Sequence, residues 1–142
     1  MQVIFRECDW FNLWIWIECQ DYLSEREKQM IDEVFASWFL LGKLGGFNAT
    51  NLQVLEAGVD VSDLDYDGET MAGEMMAVMH NMGDVEYEGN WARCWVDLGT
   101  ADALALDVLI NSLYRLSEEY LPIKALYIGG EQEEWKIDRR YD

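Results

Sequence analysis

Leu13-Trp14-Ile15-Trp16-Ile17-Glu18-Cys19 is the stretch whose reading decides the fold. Its β-branched and aromatic residues suit a pleated strand. Side chains alternate between the two faces of a strand, so Trp14 and Trp16 share one face while Leu13, Ile15 and Ile17 share the other. A strand that is apolar on both faces is either central and covered on both sides, or carries an aromatic face meant for another molecule.

Working outward, Val3–Glu7 reads as a companion strand. On the other side, Ser24-Glu25-Arg26-Glu27 is a capping box, in which a serine hydroxyl and a glutamate three residues on satisfy each other's backbone donors. The helix it opens places Ile31, Val34, Phe35, Trp38 and Phe39 on one face, at spacings of three and four. It ends in Leu41-Gly42-Lys43-Leu44-Gly45-Gly46, where a glycine supplies the left-handed cap. Leu52–Leu55 fits either a short strand, the preferred reading, or a short helix from Thr50 stopped by Gly58, and residues 63–67 alternate like a half-buried strand. A second helix, about 70–82, carries Met71, Met75, Met76, Met79 and Met82. Val85–Glu88 and Ala92–Leu98 form a hairpin turned near Gly89-Asn90. Thr100 is placed to cap a third helix reaching Tyr120, with Leu106, Leu109, Ile110, Leu113 and Leu116 as its buried stripe and Pro122 as its stop. Ile123–Ile128 is a last strand.

Strands and helices mix without strict βαβ alternation, so the expected class is α+β. The expected architecture is one domain over 1–130 with a polar, loose tail at 131–142. Its mixed, mostly antiparallel sheet would have six or seven strands, with three helices packed on it. At 142 residues the chain buries roughly 68–70% of the surface its unfolded form exposes, enough for a core without staples. Apolar residues make up 51%, which excludes disorder.

The charge is lopsided: 28 acids against 10 lysines and arginines, a formal net charge of −18. Such a surface repels phosphate backbones and anionic lipid, which argues against nucleic-acid and membrane-surface partners. No apolar run is long enough to span a membrane. The three cysteines, Cys8, Cys19 and Cys94, have no metal-ligand spacing, and an odd count points to a reducing, cytoplasmic setting. Cys8 and Cys19 could still face each other across paired strands.

Three groups could carry chemistry. Asp63, Asp65, Asp67, Gly68 and Glu74 match a calcium-loop pattern of three alternating acids, a glycine and a closing glutamate. Such a loop would offer carboxylates from the three aspartates, the Glu69 carbonyl and a bidentate Glu74. It lacks an entering helix and a sister loop, so the alternation fits an acidic strand end at least as well, and any cation site is a weak divalent one. His80, the single histidine, sits beside Asn81 where a helix end or polar contact is the plain reading. With Asn48, Arg93, Asp97 and Asp102 it could instead form the polar site of an enzyme. Trp14 and Trp16 on one strand, and Trp91 and Trp95 on another, would form a hot-spot platform for a partner unless helices cover them.

Several motifs carry a family resemblance. They are Ser37-Trp38-Phe39 with Leu41-Gly42-Lys43-Leu44-Gly45-Gly46-Phe47-Asn48, His80-Asn81-Met82-Gly83, Arg93-Cys94-Trp95, Asp97-Leu98-Gly99-Thr100, Leu106-Asp107-Val108-Leu109-Ile110-Asn111 and Ile128-Gly129-Gly130. From Phe5 to Trp135 the chain resembles a family of small acidic proteins from cyanobacteria and plastids, catalogued as a domain of unknown function. The resemblance transfers no catalytic residue. It implies the cytoplasm of an oxygenic phototroph, or a plastid stroma.

With no assembled catalytic group and no cofactor motif, the leading expectation is a non-enzymatic accessory or assembly factor that binds another protein. The binding residues would be Trp14, Trp16, Trp91, Trp95, Lys43, Asn48, His80, Asn81 and Arg93. The alternatives are an enzyme centred on His80, Arg93 and Asp97, and divalent-cation binding at Asp63–Glu74.

Overall fold

The computed structural model describes residues 1–47 and 77–137. Its elements are β1 (Gln2–Phe5), β2 (Leu13–Cys19), α1 (Glu25–Lys43), β3 (Asn81–Met82), β4 (Glu86–Glu88), β5 (Trp91–Asp97), α2 (Leu104–Glu119) and β6 (Ile123–Ile128). The expected strands at 52–55 and 63–67 lie outside the described residues. So does the expected helix as far as residue 76. Residues 77–80 are irregular and 81–82 are strand, so that helix does not reach residue 82. The described residues hold two helices rather than three.

The six strands form one sheet in the order β1-β6-β2-β5-β3, with β4 also on β5. As its doubly apolar sequence requires, β2 is central, antiparallel to β5 on one side and to β6 on the other. β1 adds to β6 in parallel, the one parallel pair among the described strands. β3 and β4 pair with successive parts of β5, and the Gly83 amide donates to the Trp95 carbonyl between them at 2.9 Å. They act as one interrupted edge strand. Counted this way, the described elements run β-α-β-β-α-β, and two antiparallel crossings split each βαβ unit. That is the ferredoxin-like connectivity, with β1 appended outside β6.

Both helices lie on one face of the sheet. Ile31, Phe35 and Trp38 of α1, and Ala105, Leu106, Leu109 and Leu113 of α2, bury against Leu13, Ile15 and Ile17 of β2 and their neighbours. Each large side chain buried this way contributes about 1.5–3 kcal/mol. The Trp38 indole donates to the Ala105 carbonyl at 2.8 Å and ties the helices together. The Ser24 capping box forms as expected. At the other end of α1, Gly46 donates to the Leu41 carbonyl and Gly45 to that of Gly42, a Schellman closure with Gly45 in the left-handed region at φ 75°. α2 starts later than its sequence suggested. Thr100 does not cap it; its hydroxyl bonds with Val78, and the Asp102 carboxylate receives the Leu104 amide at 3.3 Å.

Candidate functional site

Three places could meet another molecule: the sheet face opposite the two described helices, the corner where α1 ends, and the outer groove between the helices.

The face opposite the two described helices holds the tryptophans. Trp14, Trp16 and Trp95 form a second apolar cluster, flanked by Trp91, Tyr127, Trp135 and Ile137. Trp16 is fully buried, and Trp14 and Trp95 are only 6% exposed. They are not an open platform, and among the described residues neither helix lies over them. Trp135 meets Trp16 edge-on at 5.8 Å. The Trp16 indole donates to the Gly130 carbonyl at 3.1 Å and that of Trp95 to Asn12 at 2.7 Å, so these buried rings keep their polar ends satisfied. The segment expected to hang loose after residue 130 is therefore, as far as residue 137, packed on the sheet.

Arg93 holds this arrangement. Register sets it opposite Trp16 on β2 and opposite Glu86 on β4. Its Nε donates to Glu86 at 2.7 Å, and one terminal nitrogen donates to the Trp135 and Lys136 carbonyls, each at 3.1 Å. The guanidinium lies 4.0 Å from the Trp135 ring centre, 5.1 Å from Trp14 and 5.5 Å from Trp16. A planar cation suits such stacking. At 5% exposure, Arg93 is engaged inside the protein rather than offered at its surface. Trp91 is half-buried and lies tilted against Tyr127 with ring centres 5.7 Å apart; the Tyr127 hydroxyl is pushed up by burial and then by Glu18.

The corner gathers His80, Asn81, Asp97 and the end of α1. The Met79 amide donates to the Gly42 carbonyl at 3.0 Å, and Met79 is fully buried. A Cβ at Gly42 would run into the Met79 sulfur, so only glycine admits this approach. His80 Nδ1 lies 3.5 Å from an Asp97 carboxylate oxygen, and its ring stacks on Phe11. The same Asp97 oxygen receives the Gly99 amide at 2.9 Å, and a Cβ at Gly99 would strike the His80 ring. Lys43, exposed, lies over Phe39 with its ammonium 5.7 Å from the ring centre.

The sequence grouped His80, Asn81, Arg93, Asp97 and Asp102. The structure unites His80, Asn81 and Asp97 and sets Arg93 apart, four residues along β5 from Asp97, roughly 13 Å. Asn48 and the proposed cation ligands Asp63, Asp65, Asp67 and Glu74 lie outside the described residues. Among the described residues, no group of three or more His, Cys, Asp or Glu could hold a metal.

All three thiols are free. Cys8 and Cys19 do not face each other: Cys8 lies against the Ile128 carbonyl at the end of β6, while Cys19 pairs with Ile123 at its start. Burial, reinforced by Glu27 and Glu18, pushes the Cys19 thiol up to about 12. Burial also raises Cys94 and Cys8, so none is an activated nucleophile.

The groove between α1 and α2 is about 580 Å³, walled by Met30, Val34 and Leu41 on one side and Val108, Leu116 and Tyr120 on the other. Leu40, Leu41 and Leu44 beside it are at least half exposed. Sequence periodicity assigned Val34 and Leu116 to the buried stripes; that they also edge a groove depends on how the two helices sit side by side. Trp135 and Glu86 were also missed. A tryptophan within a polar tail was the available signal for the first; the second depended on cross-strand register.

The site thus belongs to a two-layer α+β domain whose second sheet face is closed by its own chain. Over residues 1–142 the protein matches the model of a family described as protein of unknown function (DUF3531), and it belongs to that family. No curated protein and no solved structure matches it.

Proposed function

We propose that this protein is a non-enzymatic binding module, an accessory factor that docks on another protein in the cytoplasm of an oxygenic phototroph. The observation that carries the reading is the apolar groove between α1 and α2. A trough walled by two helices suits an amphipathic helix of a partner, which would bury its apolar face there. The exposed leucines at the end of α1 extend that surface. None of the described helices is long and apolar enough to cross a membrane.

The polar corner supports the non-enzymatic side of the reading. Asp97 is engaged by Gly99 and His80, and Asp102 by Leu104, so these groups brace turns. Arg93, which an enzyme reading would need beside them, is committed to Glu86 and the C-terminal segment.

The test is a comparison of proteins retained from a phototroph extract by the wild type and by Leu41→Glu. Leu41 is 50% exposed, so the substitution should leave the fold intact, and an unchanged melting temperature checks this. The reading expects one or more proteins retained by the wild type and lost with Leu41→Glu. Equal retention by both, or none by either, overturns it.

A further inference from the structure

We propose that a recess on the other side of the sheet is a binding site for an alkylammonium group, such as the end of a lysine side chain. The recess, about 240 Å³, shares no residue with the inter-helix groove. Three segments wall it: the loop after β2 brings Tyr22, the β4–β5 turn brings Glu88 and Trp91, and the C-terminal segment brings Glu134 and Trp135. Three aromatic rings and two carboxylates around a small hollow are the components that bind an organic cation. The rings attract it through their quadrupoles and accept its methylene groups, and the carboxylates neutralise it.

Two features favour a cation in the recess. Neither Glu88 nor Glu134 forms an ion pair among the described residues, whereas Glu86, on the same strand as Glu88, is held by Arg93. The walls are also set in advance by hydrogen bonds. Cys19 donates to the Asn90 carbonyl at 2.8 Å, Asn90 returns a bond to the Cys19 carbonyl at 2.9 Å, and Leu23 donates to the Gly89 carbonyl at 3.3 Å. These fix the Tyr22 loop against the turn. Arg93, through the Trp135 and Lys136 carbonyls, fixes the third wall. The backbone of the walls is thus fixed before a ligand enters, which lowers the ordering cost, while the Tyr22 ring, 81% exposed, is left to close on the ligand.

A guanidinium is less suited. Arg93 shows how this protein holds one, flat among three rings with its fork on a carboxylate and carbonyls. The recess offers carboxylates at separate walls, which suits a compact charge on a flexible stem. The negative charge of the chain raises the local cation concentration but is not selective.

The experiment titrates the full chain with N-acetyl-lysine methylamide, its trimethylated form and tetramethylammonium, at fixed ionic strength, following tryptophan emission. A neutral control of the same shape, N-acetyl-norleucine methylamide, runs in parallel. The expected result is a saturable change with one or more of the cations and none with norleucine. Which cation binds separates a side chain from a small free amine. Glu88→Gln and Glu134→Gln should each weaken binding, by up to about fivefold, the size of an exposed ion pair. Glu119→Gln, an exposed glutamate on α2 that removes the same charge, should leave binding unchanged. Saturation with no cation, or equal weakening by Glu119→Gln, overturns the proposal. Trp91→Leu adds a second check: if its fold holds and binding persists at full strength, the aromatic wall has no part and the proposal fails.

Discussion

Replacing Arg93 with methionine tests the closed sheet face through its keystone. The arginine side chain is 6% exposed and its partner Glu86 22%. Methionine keeps most of the apolar stem but removes the ion pair, both bonds to the Trp135 and Lys136 carbonyls, and the stacking on three rings. Removing one member of a buried pair costs about 3–5 kcal/mol, because the other charge stays behind without compensation. Glu86 keeps some solvent, which lowers the figure, and the lost carbonyl bonds raise it; these effects overlap and do not sum. A loss of roughly 3 kcal/mol is expected, a large share of the roughly 5–15 kcal/mol that holds a domain together. Urea unfolding followed by circular dichroism measures it. Trypsin cleavage after Lys136 reports the second consequence, since the released segment should be cut much faster. Arg93→Met with Glu86→Gln should be less damaging than Arg93→Met alone, because no orphan carboxylate remains. A cost below about 1 kcal/mol, the level of an ordinary surface change, together with unchanged cleavage would refute the reasoning.

Other outcomes follow from local chemistry. Gly42→Ala improves helix propensity by up to about 1 kcal/mol, yet it should destabilise by a net ~1–3 kcal/mol, because its methyl group collides with buried Met79; thermal melting decides the sign. In the native protein one thiol, Cys8, should react with a maleimide, with Cys19 and Cys94 reacting after urea, since Cys8 is exposed and the others buried. Cys19 carries a thiol raised from 9.0 to about 12 in the fold, so its contribution is fully present below pH 9 and lost as pH rises from there towards 12. The urea midpoint should fall above pH 9, and Cys19→Ala should fall less steeply; parallel curves would contradict this.

Much of the fold was legible from local pattern. β2, β6 and the two helices carry strong periodicity or caps, and those signals depend on neighbours in sequence. The misreadings lie where distant contacts decide. Met79 and Met82 continue a helix-like run of methionines, but Met79 fills the notch at Gly42, and residues 81–82 pair with β5 instead. Thr100 looked like a cap, but its hydroxyl bonds with Val78, a residue 22 positions away. At the site, alternation correctly put Trp14 with Trp16 and Trp91 with Trp95. What covers them was invisible, because residues 131–137 hold only Trp135 and Ile137 as apolar anchors. Arg93 read as a surface contact because its partner Glu86 and its carbonyl acceptors become neighbours only when β4 and the C-terminal segment are in place.

The central claim is that the tryptophan face is a second core closed by the protein's own C-terminal segment, which moves binding to the groove and the recess. Acrylamide quenching of tryptophan emission, compared between the full chain and a chain ending at Gly130, tests it most directly, with circular dichroism confirming that the helices persist. The account predicts strong shielding in the full chain and a marked gain in quenching after truncation, as Trp14, Trp16 and Trp95 lose their cover. Equal quenching of the two chains, with the fold intact in both, would contradict it.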